Sequence, residues 1–184
     1  MLTDWDNGIT RAINGLAGLS VPIDMILISI STYAVPMMVL AVALQWWPKH
    51  DDRELRHRVV AAGLSFVLAL LINQLILLFL HRVRPYDAGV THLLVAPSAD
   101  PSFPSDHAAA AFAIACSFLH VKTMARGVIF IVLAILIAFS RVYVGIHFMS
   151  DIVGGAFIGL ISTVTVSSFY LKGSRLDRLL TNIL

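Results

Sequence analysis

The sequence predicts an all-α integral membrane protein: a bundle of about five transmembrane helices preceded by an amphipathic helix lying in the interface. Three observations predict it. Of the 184 residues, 58% are hydrophobic and only 13% charged, against ~25% charged in ordinary soluble domains. Apolar runs of spanning length recur along the chain, and basic residues gather in alternate connections between them. With a mean hydropathy of +0.85, a chain this small has too little polar surface to form a soluble globular enzyme. The same composition excludes a disordered chain and a basic nucleic-acid-binding domain, and a net charge of +2 is too small to call for an anionic polymer. Cys116 is the single cysteine, so no disulfide forms within the chain.

Each element follows in order. In residues 3–18, Trp5, Ile9, Ile13 and Leu16 recur at helical spacing with Asp6, Asn7, Thr10, Arg11 and Asn14 elsewhere on the wheel. That pattern predicts a short interfacial helix. Asp4 and Asp6 stand where a signal peptide carries positive charge, and no apolar stretch follows them directly. Spans are expected near 22–47, 58–81, 105–121, 125–145 and 149–171. Trp46 and Trp47 close the first at the level of an aromatic belt. The third and fourth come from shorter runs divided by the polar stretch His120–Thr123, and each reaches spanning length only when extended past its bounding charge. Gly155 and Gly159 form a small-xxx-small pair in the last span. It reads as close packing within the chain, with a dimer contact as the alternative. The chain reads as one domain over 1–184, without repeat or linker.

Five spans put the termini on opposite sides. Lys49, Arg53, Arg56, Arg58, Lys122, Arg126, Lys172, Arg175 and Arg178 share one side, nine of the thirteen basic residues. The positive-inside rule makes that side cytoplasmic, together with the C-terminus. The long 82–104 loop then faces outward, and loops of that length are often functional.

Four segments deliver polar groups to that outer face. The second span leads into Arg82 and Arg84, the third opens at Ser105, Asp106 and His107, the fourth ends at Arg141, and the fifth begins near His147 and Asp151. Ionisable groups at such positions are costly, and function is their default explanation. Arg84 and Arg141 offer planar forks that match phosphate oxygens. Ser105 stands at a helix N-terminus, a ready anion site. His147 and Asp151 are four residues apart and share a helix face, so the carboxylate can hold one ring nitrogen and leave the other free. His107 is available as acid or base. Taken singly, a His-x-x-x-Asp pair is more often a structural hydrogen bond, a terminal Arg an anchor, and a Ser before a helix a cap. Convergence of four segments on one face is what favours a site. His107, His147 and Asp151 are also legal metal ligands, but two arginines beside them favour a bound anion. No metal and no cofactor is expected.

Arg84-Pro85, then Pro104-Ser105-Asp106-His107, then Ser140-Arg141 followed by His147 and Asp151, resemble the three signature motifs of the type 2 phosphatidic acid phosphatase superfamily. These are integral-membrane lipid phosphatases that share their site architecture with vanadium haloperoxidases. The resemblance covers about 73–155. Two departures stand out: the lysine that usually precedes the Arg-Pro pair is Leu77 here, and the glycine usual in the second motif is Asp106. With Asn73 and the run 99–107, these features look most like the bacitracin-resistance type of undecaprenyl diphosphate phosphatase.

The resemblance implies His147 as nucleophile forming a phosphohistidine, Asp151 as its orienting partner, and His107 as general acid. It implies Arg84, Arg141, Ser105 and the N–H groups of Asp106 and His107 as phosphate ligands. Arg82 is the expected substitute for the lysine. The implied activity removes the terminal phosphate of a polyprenyl diphosphate at the outer face of a bacterial inner membrane, recycling the cell-wall lipid carrier and conferring bacitracin resistance. The implied partners are the lipid bilayer and a lipid diphosphate or phosphate. Phosphatidylglycerophosphate, phosphatidic acid and lipid A phosphates are alternative substrates. A non-catalytic bundle or transporter subunit is the alternative from another class, and it would need polar residues in mid-span, where only Asn73 and Gln74 stand out.

Overall fold

The computed structural model describes residues 2–47 and 52–181, and Lys49 of the basic count lies outside them. All regular structure among the described residues is helical. The order is α1 (Leu2–Asn14), α2 (Val21–Ala43, continued by a 3-10 turn to Trp46), α3 (Arg53–Leu77), α4 (Asp106–Ser117), a 3-10 turn (Val121–Thr123), α5 (Met124–Tyr143), α6 (Met149–Phe169) and α7 (Arg175–Thr181).

Among the described residues, four stretches are long and apolar enough to cross a membrane: Val21–Trp46, Arg53–Leu77, Val121–Tyr143 and Met149–Phe169. Their lipid-facing sides carry exposed Leu, Ile, Val and Phe, such as Leu71, Leu75, Ile129, Ile135, Phe157 and Ile161. α3 starts earlier than expected because Asp52 caps it, accepting from the Leu55 N–H at 3.1 Å, and Arg58 pairs with Glu54 across its first turn.

The expected third span is different. α4 has 12 residues and at 1.5 Å per residue is about 18 Å long, well short of a ~30 Å hydrocarbon core. It still runs from one end of the bundle to the other. At its start the Ser105 N–H donates to the Asp151 carbonyl at 3.2 Å. Beyond its end His120 lies 3.6 Å from Glu54, in the first turn of α3. The thickness rule binds helices that face lipid, and α4 is enclosed by α2, α3, α5 and α6. Ala108, Ala109, Ala111, Ala113 and Ala115 have no exposed surface.

Small side chains are what let the surrounding helices close on α4. A Cβ on Gly155 would lie 2.5 Å from the Ser105 carbonyl oxygen, and one on Gly159 would lie 2.7 Å from the Ala109 oxygen and the Ala113 nitrogen. The small-xxx-small pair therefore packs α6 onto α4 within one chain.

α1 lies against α5 and α6 with its polar side inward. Thr10 and Asn14 are buried while Trp5, Ile9 and Leu16 are exposed, and Ile13 turns toward the core. The Asn14 amide donates to the His92 and Tyr143 carbonyls at 2.9 and 2.8 Å, and its oxygen accepts from the His92 N–H at 2.7 Å. The sequence showed no sign of α7. It is tied back to α3 by Asp177, which pairs with His57 at 2.8 Å and accepts from the Tyr170 hydroxyl at 2.6 Å.

Because the Gly159 contacts are with backbone, Gly159→Ala should destabilise the purified protein by about 1–3 kcal/mol, the usual cost of overpacking. Gly63, whose added Cβ would meet nothing within 4 Å, is the control. Thermal unfolding in detergent should show Gly159→Ala lowered and Gly63→Ala at or above the parent.

Candidate active site

The end of the bundle where α4 begins carries a cavity of about 140 Å³. Four elements build it. The 82–104 loop and the residues before α4 contribute Arg84, Ser98, Asp100, Pro101 and Pro104, α4 contributes Asp106 and His107, α5 contributes Arg141, and the α5–α6 connection contributes His147. Leu77, at the end of α3, lines it too. The position where the related motifs carry lysine thus faces the cavity as an apolar side chain.

The two arginines are held differently. Arg84 is buried and laced to the loop around it: Nε donates to the Asp100 carbonyl at 2.8 Å, Nη1 to the Ile146 carbonyl at 3.0 Å, and Nη2 to the Ser98 hydroxyl at 3.0 Å. Burial draws its pKa down, and Tyr86, Asp151, Asp100 and Asp106 oppose that. Arg141 is anchored through Nη1 to the Ser31 hydroxyl at 2.6 Å and carbonyl at 3.2 Å. Its buried Nε has no hydrogen-bond partner among the described residues. Native structures rarely leave such a donor unmet.

His147 has a defined tautomer. Its Nδ1 lies 2.9 Å from the Ser102 carbonyl, and a carbonyl only accepts, so Nδ1 carries the proton and Nε2 keeps its lone pair. Asp151 Oδ2 stands 3.4 Å from the same nitrogen, a longer approach than the Ser102 oxygen. Burial, with Arg141 and Arg84, pushes the His147 pKa down to about 4 against the pull of Asp151. The imidazole is therefore neutral at ordinary pH. Asp151 has no exposed surface. It accepts from the Ser102 hydroxyl at 2.5 Å, the Phe148 N–H at 2.8 Å and Arg82 Nη1 at 2.6 Å.

Two of the residues expected to bind phosphate are placed otherwise. Ser105 is fully buried and outside the cavity lining, its hydroxyl capping α4 at the Ala108 N–H. Arg82 also lies outside the lining. Its guanidinium is taken up by Asp151 and by Asp6 of α1, each at 2.6 Å, and stacks 4.0 Å above the Phe148 ring. Two carboxylates thus share this cation, which lines an adjoining depression with Arg84, Ser98, Asp100 and Pro101. Asp106 does line the cavity, and its carboxylate accepts from the Asn73 amide at 2.8 Å.

Sequence reasoning missed Asp6, Ser31, Ser98, Asp100 and Ser102. The turn-rich run Pro101–Ser105 carried a signal, because polar residues held between prolines beside a motif invite a role. Ser31, a hydroxyl in mid-span, carried a weaker one. Asp6 carried none beyond its place on a polar helix face.

Comparison with known proteins gives the family. Residues 58–175 match the PAP2 superfamily. Undecaprenyl-diphosphatase BcrC of Bacillus subtilis (strain 168) is 33% identical over 153 residues, which cover 83% of this chain and 78% of the relative. The crystal structure of the first transmembrane PAP2 type phosphatidylglycerolphosphate phosphatase from Bacillus subtilis matches with a TM-score of 0.69 at 26% identity, covering 95% of this chain and 88% of that one. Aquifex aeolicus LpxE, 23% identical, shares the fold with a TM-score of 0.69 over 88% of this chain and 94% of its own. The chain belongs to the PAP2 superfamily and is a multi-pass membrane phosphatase.

Proposed function

We infer that the enzyme removes the terminal phosphate of a polyprenyl diphosphate, of the undecaprenyl kind, through a phosphohistidine at His147. One observation carries the chemistry: the Ser102 carbonyl holds the proton on His147 Nδ1, which leaves Nε2 as the nucleophilic nitrogen in a cavity shared with two guanidinium groups. The likeness to the BcrC protein supports the choice of lipid.

In the first step Nε2 attacks the terminal phosphorus. A P–N bond forms, the bond from phosphorus to the bridging oxygen breaks, and His107 gives that oxygen a proton as the lipid monophosphate leaves. The charge that develops on His147 is stabilised by Asp151. Water then attacks the phosphorus, His107 takes its proton, and the P–N bond breaks to release inorganic phosphate. Arg84, Arg141 and the backbone N–H groups of Asp106 and His107 hold the equatorial oxygens, where charge builds up. Arg141 Nε gains the acceptor that the protein does not provide. In the bilayer the cavity opens to the extracytoplasmic side and the C-terminus is cytoplasmic, the orientation set by the basic residues. Hydrolysis there returns the carrier lipid for cell-wall synthesis and removes the diphosphate that bacitracin binds.

Three measurements test this. Purified protein should release phosphate from a polyprenyl diphosphate faster than from phosphatidylglycerophosphate or phosphatidic acid, and a reversed order would reassign the substrate. Activity should persist in EDTA. His147→Ala should reduce release by at least about 10³-fold, the scale on which removing a nucleophile acts, while membrane insertion is retained; residual turnover within tenfold of the parent removes His147 from its role.

The pH dependence has a definite sign. Protonated His147 cannot attack, so its pKa sets the acid limb of kcat/KM, and that limb should lie toward about 4 rather than at the ~6.5 of free histidine. Since the folded pKa is below the unfolded one, His147 also contributes stability that is lost as pH falls through that window. An acid limb at the ordinary histidine value would contradict a buried neutral nucleophile.

A further inference from the structure

Outside the cavity, a three-membered charged chain links the interfacial helix to the site. Asp6 of α1 accepts from the Ser150 N–H at 2.9 Å and from the Ser150 hydroxyl at 2.6 Å, which places it at the N-terminus of α6. It also accepts from Arg82 Nη2 at 2.6 Å. Arg82 Nη1 donates to Ser150 Oγ and Asp151 Oδ1, each at 2.6 Å. Asp151 in turn faces His147 Nδ1 at 3.4 Å. One guanidinium is thus shared between two carboxylates, only one of which adjoins the nucleophile.

We propose that Asp6 and Arg82 are positioning residues of the phosphatase site: Asp6 draws part of the Arg82 charge away from Asp151 and so sets how strongly Asp151 supports His147. The inference rests on His147 as the nucleophile.

The physical basis is competition for one cation. A carboxylate paired with a full guanidinium offers less negative potential to a second neighbour than one paired with a shared guanidinium. Neutralising Asp6 leaves the whole Arg82 charge on Asp151 and weakens its support for an imidazolium. Neutralising Arg82 does the opposite and frees Asp151 to act on His147. Hydrogen bonds from Ser150 and Arg82 outweigh the effect of burial and hold the Asp6 carboxyl below the usual range, so it is ionised at working pH. The other charged or titratable groups facing His147 are Arg141 from α5, His107 and Asp106 from α4, and Arg84 and Asp100 from the loop. Asp6 is hydrogen-bonded to Arg82 and Ser150 rather than to any of these, so the route from position 6 to the nucleophile runs through Arg82 and Asp151.

Asp6→Asn is the discriminating variant, because asparagine keeps an acceptor for the Ser150 N–H while it removes the charge and the Oδ2 acceptor that faces Arg82. Thr10→Val is its structural control. The Thr10 hydroxyl accepts from the Met149 N–H at 3.1 Å, so the substitution loosens the same helix from α6 without changing charge.

The experiment titrates the full chain, labelled with 13C-histidine, in detergent micelles, with the His147 resonance assigned from His147→Gln. At a fixed mildly acidic pH the ratio of protonated to neutral His147 should fall about threefold in Asp6→Asn and rise about tenfold in Arg82→Gln, tenfold being one pH unit of pKa. It should stay at the parent value in Thr10→Val and in Arg82→Lys, which keeps the charge. The acid limb of kcat/KM for phosphate release from a polyprenyl diphosphate should move in the same two directions. Shifts of one sign in both charge variants, no shift in either, or a Thr10→Val shift matching Asp6→Asn would overturn the inference. Opposed shifts in a protein that releases phosphate from no lipid would retain the electrostatic link and reject the proposed function. Full activity with unmoved ratios would do the reverse.

Discussion

A carboxylate with no exposed surface is affordable only if donors surround it, and the polar end of this bundle is arranged around that requirement at Asp151. Its donors come from three directions: the Ser102 hydroxyl from the loop, the Phe148 N–H from the start of α6, and Arg82 from the chain leaving α3. Its own carbonyl receives the Ser105 N–H at the start of α4. Two bundle helices and the long loop are therefore referenced to one residue. The His147 ring is set by the same frame, because the Ser102 that donates to Asp151 also presents its carbonyl to His147 Nδ1.

That frame needs the backbones close together, and α4 supplies the closeness. A helix of alanines has little side chain to hold its neighbours apart, and Gly155 and Gly159 remove what remained on the facing side of α6. Lipid contributes no hydrophobic drive between spans, so close van der Waals packing has to do it. The consequence for chemistry is positional. His107 in the first turn of α4, Arg141 in the last turn of α5 and His147 in the connection to α6 converge on one cavity because α4 packs closely against both α5 and α6.

The sequence displayed this site unevenly. Arg84, Asp106, His107, Arg141, His147 and Asp151 were legible because each stands at the end of an apolar run, where membrane energetics leave few reasons for an ionisable group. Arg82 was legible as a residue, but its pairing with Asp6 and Asp151 was not. Two arginines two positions apart look equivalent along the chain, and what separates them is Asp6, 76 residues away. The length of α4 was hidden for a related reason. Hydropathy reports how apolar a segment is, while the length it needs depends on whether lipid or protein surrounds it. α7 was invisible because it is only seven residues long and much of its hold on the bundle is polar, through Asp177 and the Thr181 carbonyl, with Leu180 as its apolar contact. On α1, the inward face proved to be the polar one, since Thr10 and Asn14 meet backbone groups at the ends of the spans while Trp5 and Ile9 are left exposed.

The opposite end of the bundle shows why a His–Asp pair alone does not define a site. His57 and Asp177 are closer than His147 and Asp151, 2.8 Å against 3.4 Å, and both are buried. Yet the His57 ring stacks on Tyr170 at 4.7 Å, the Tyr170 hydroxyl donates to the same Asp177 oxygen, and the Gly173 N–H donates to the other at 2.6 Å. Hydrogen bonds from Tyr170, Gly173 and His57 hold the Asp177 carboxyl below its usual range despite burial. Every contact in that group ties α7 and the end of α6 to the start of α3. At the other end the nearer partner of the imidazole is a carbonyl, which fixes the proton on one nitrogen, and the ring lines a cavity with two guanidinium groups. The same residue types at similar burial thus yield a tether between helices in one place and an imidazole lining a cavity in the other. The difference is made by what lies on the far side of the ring.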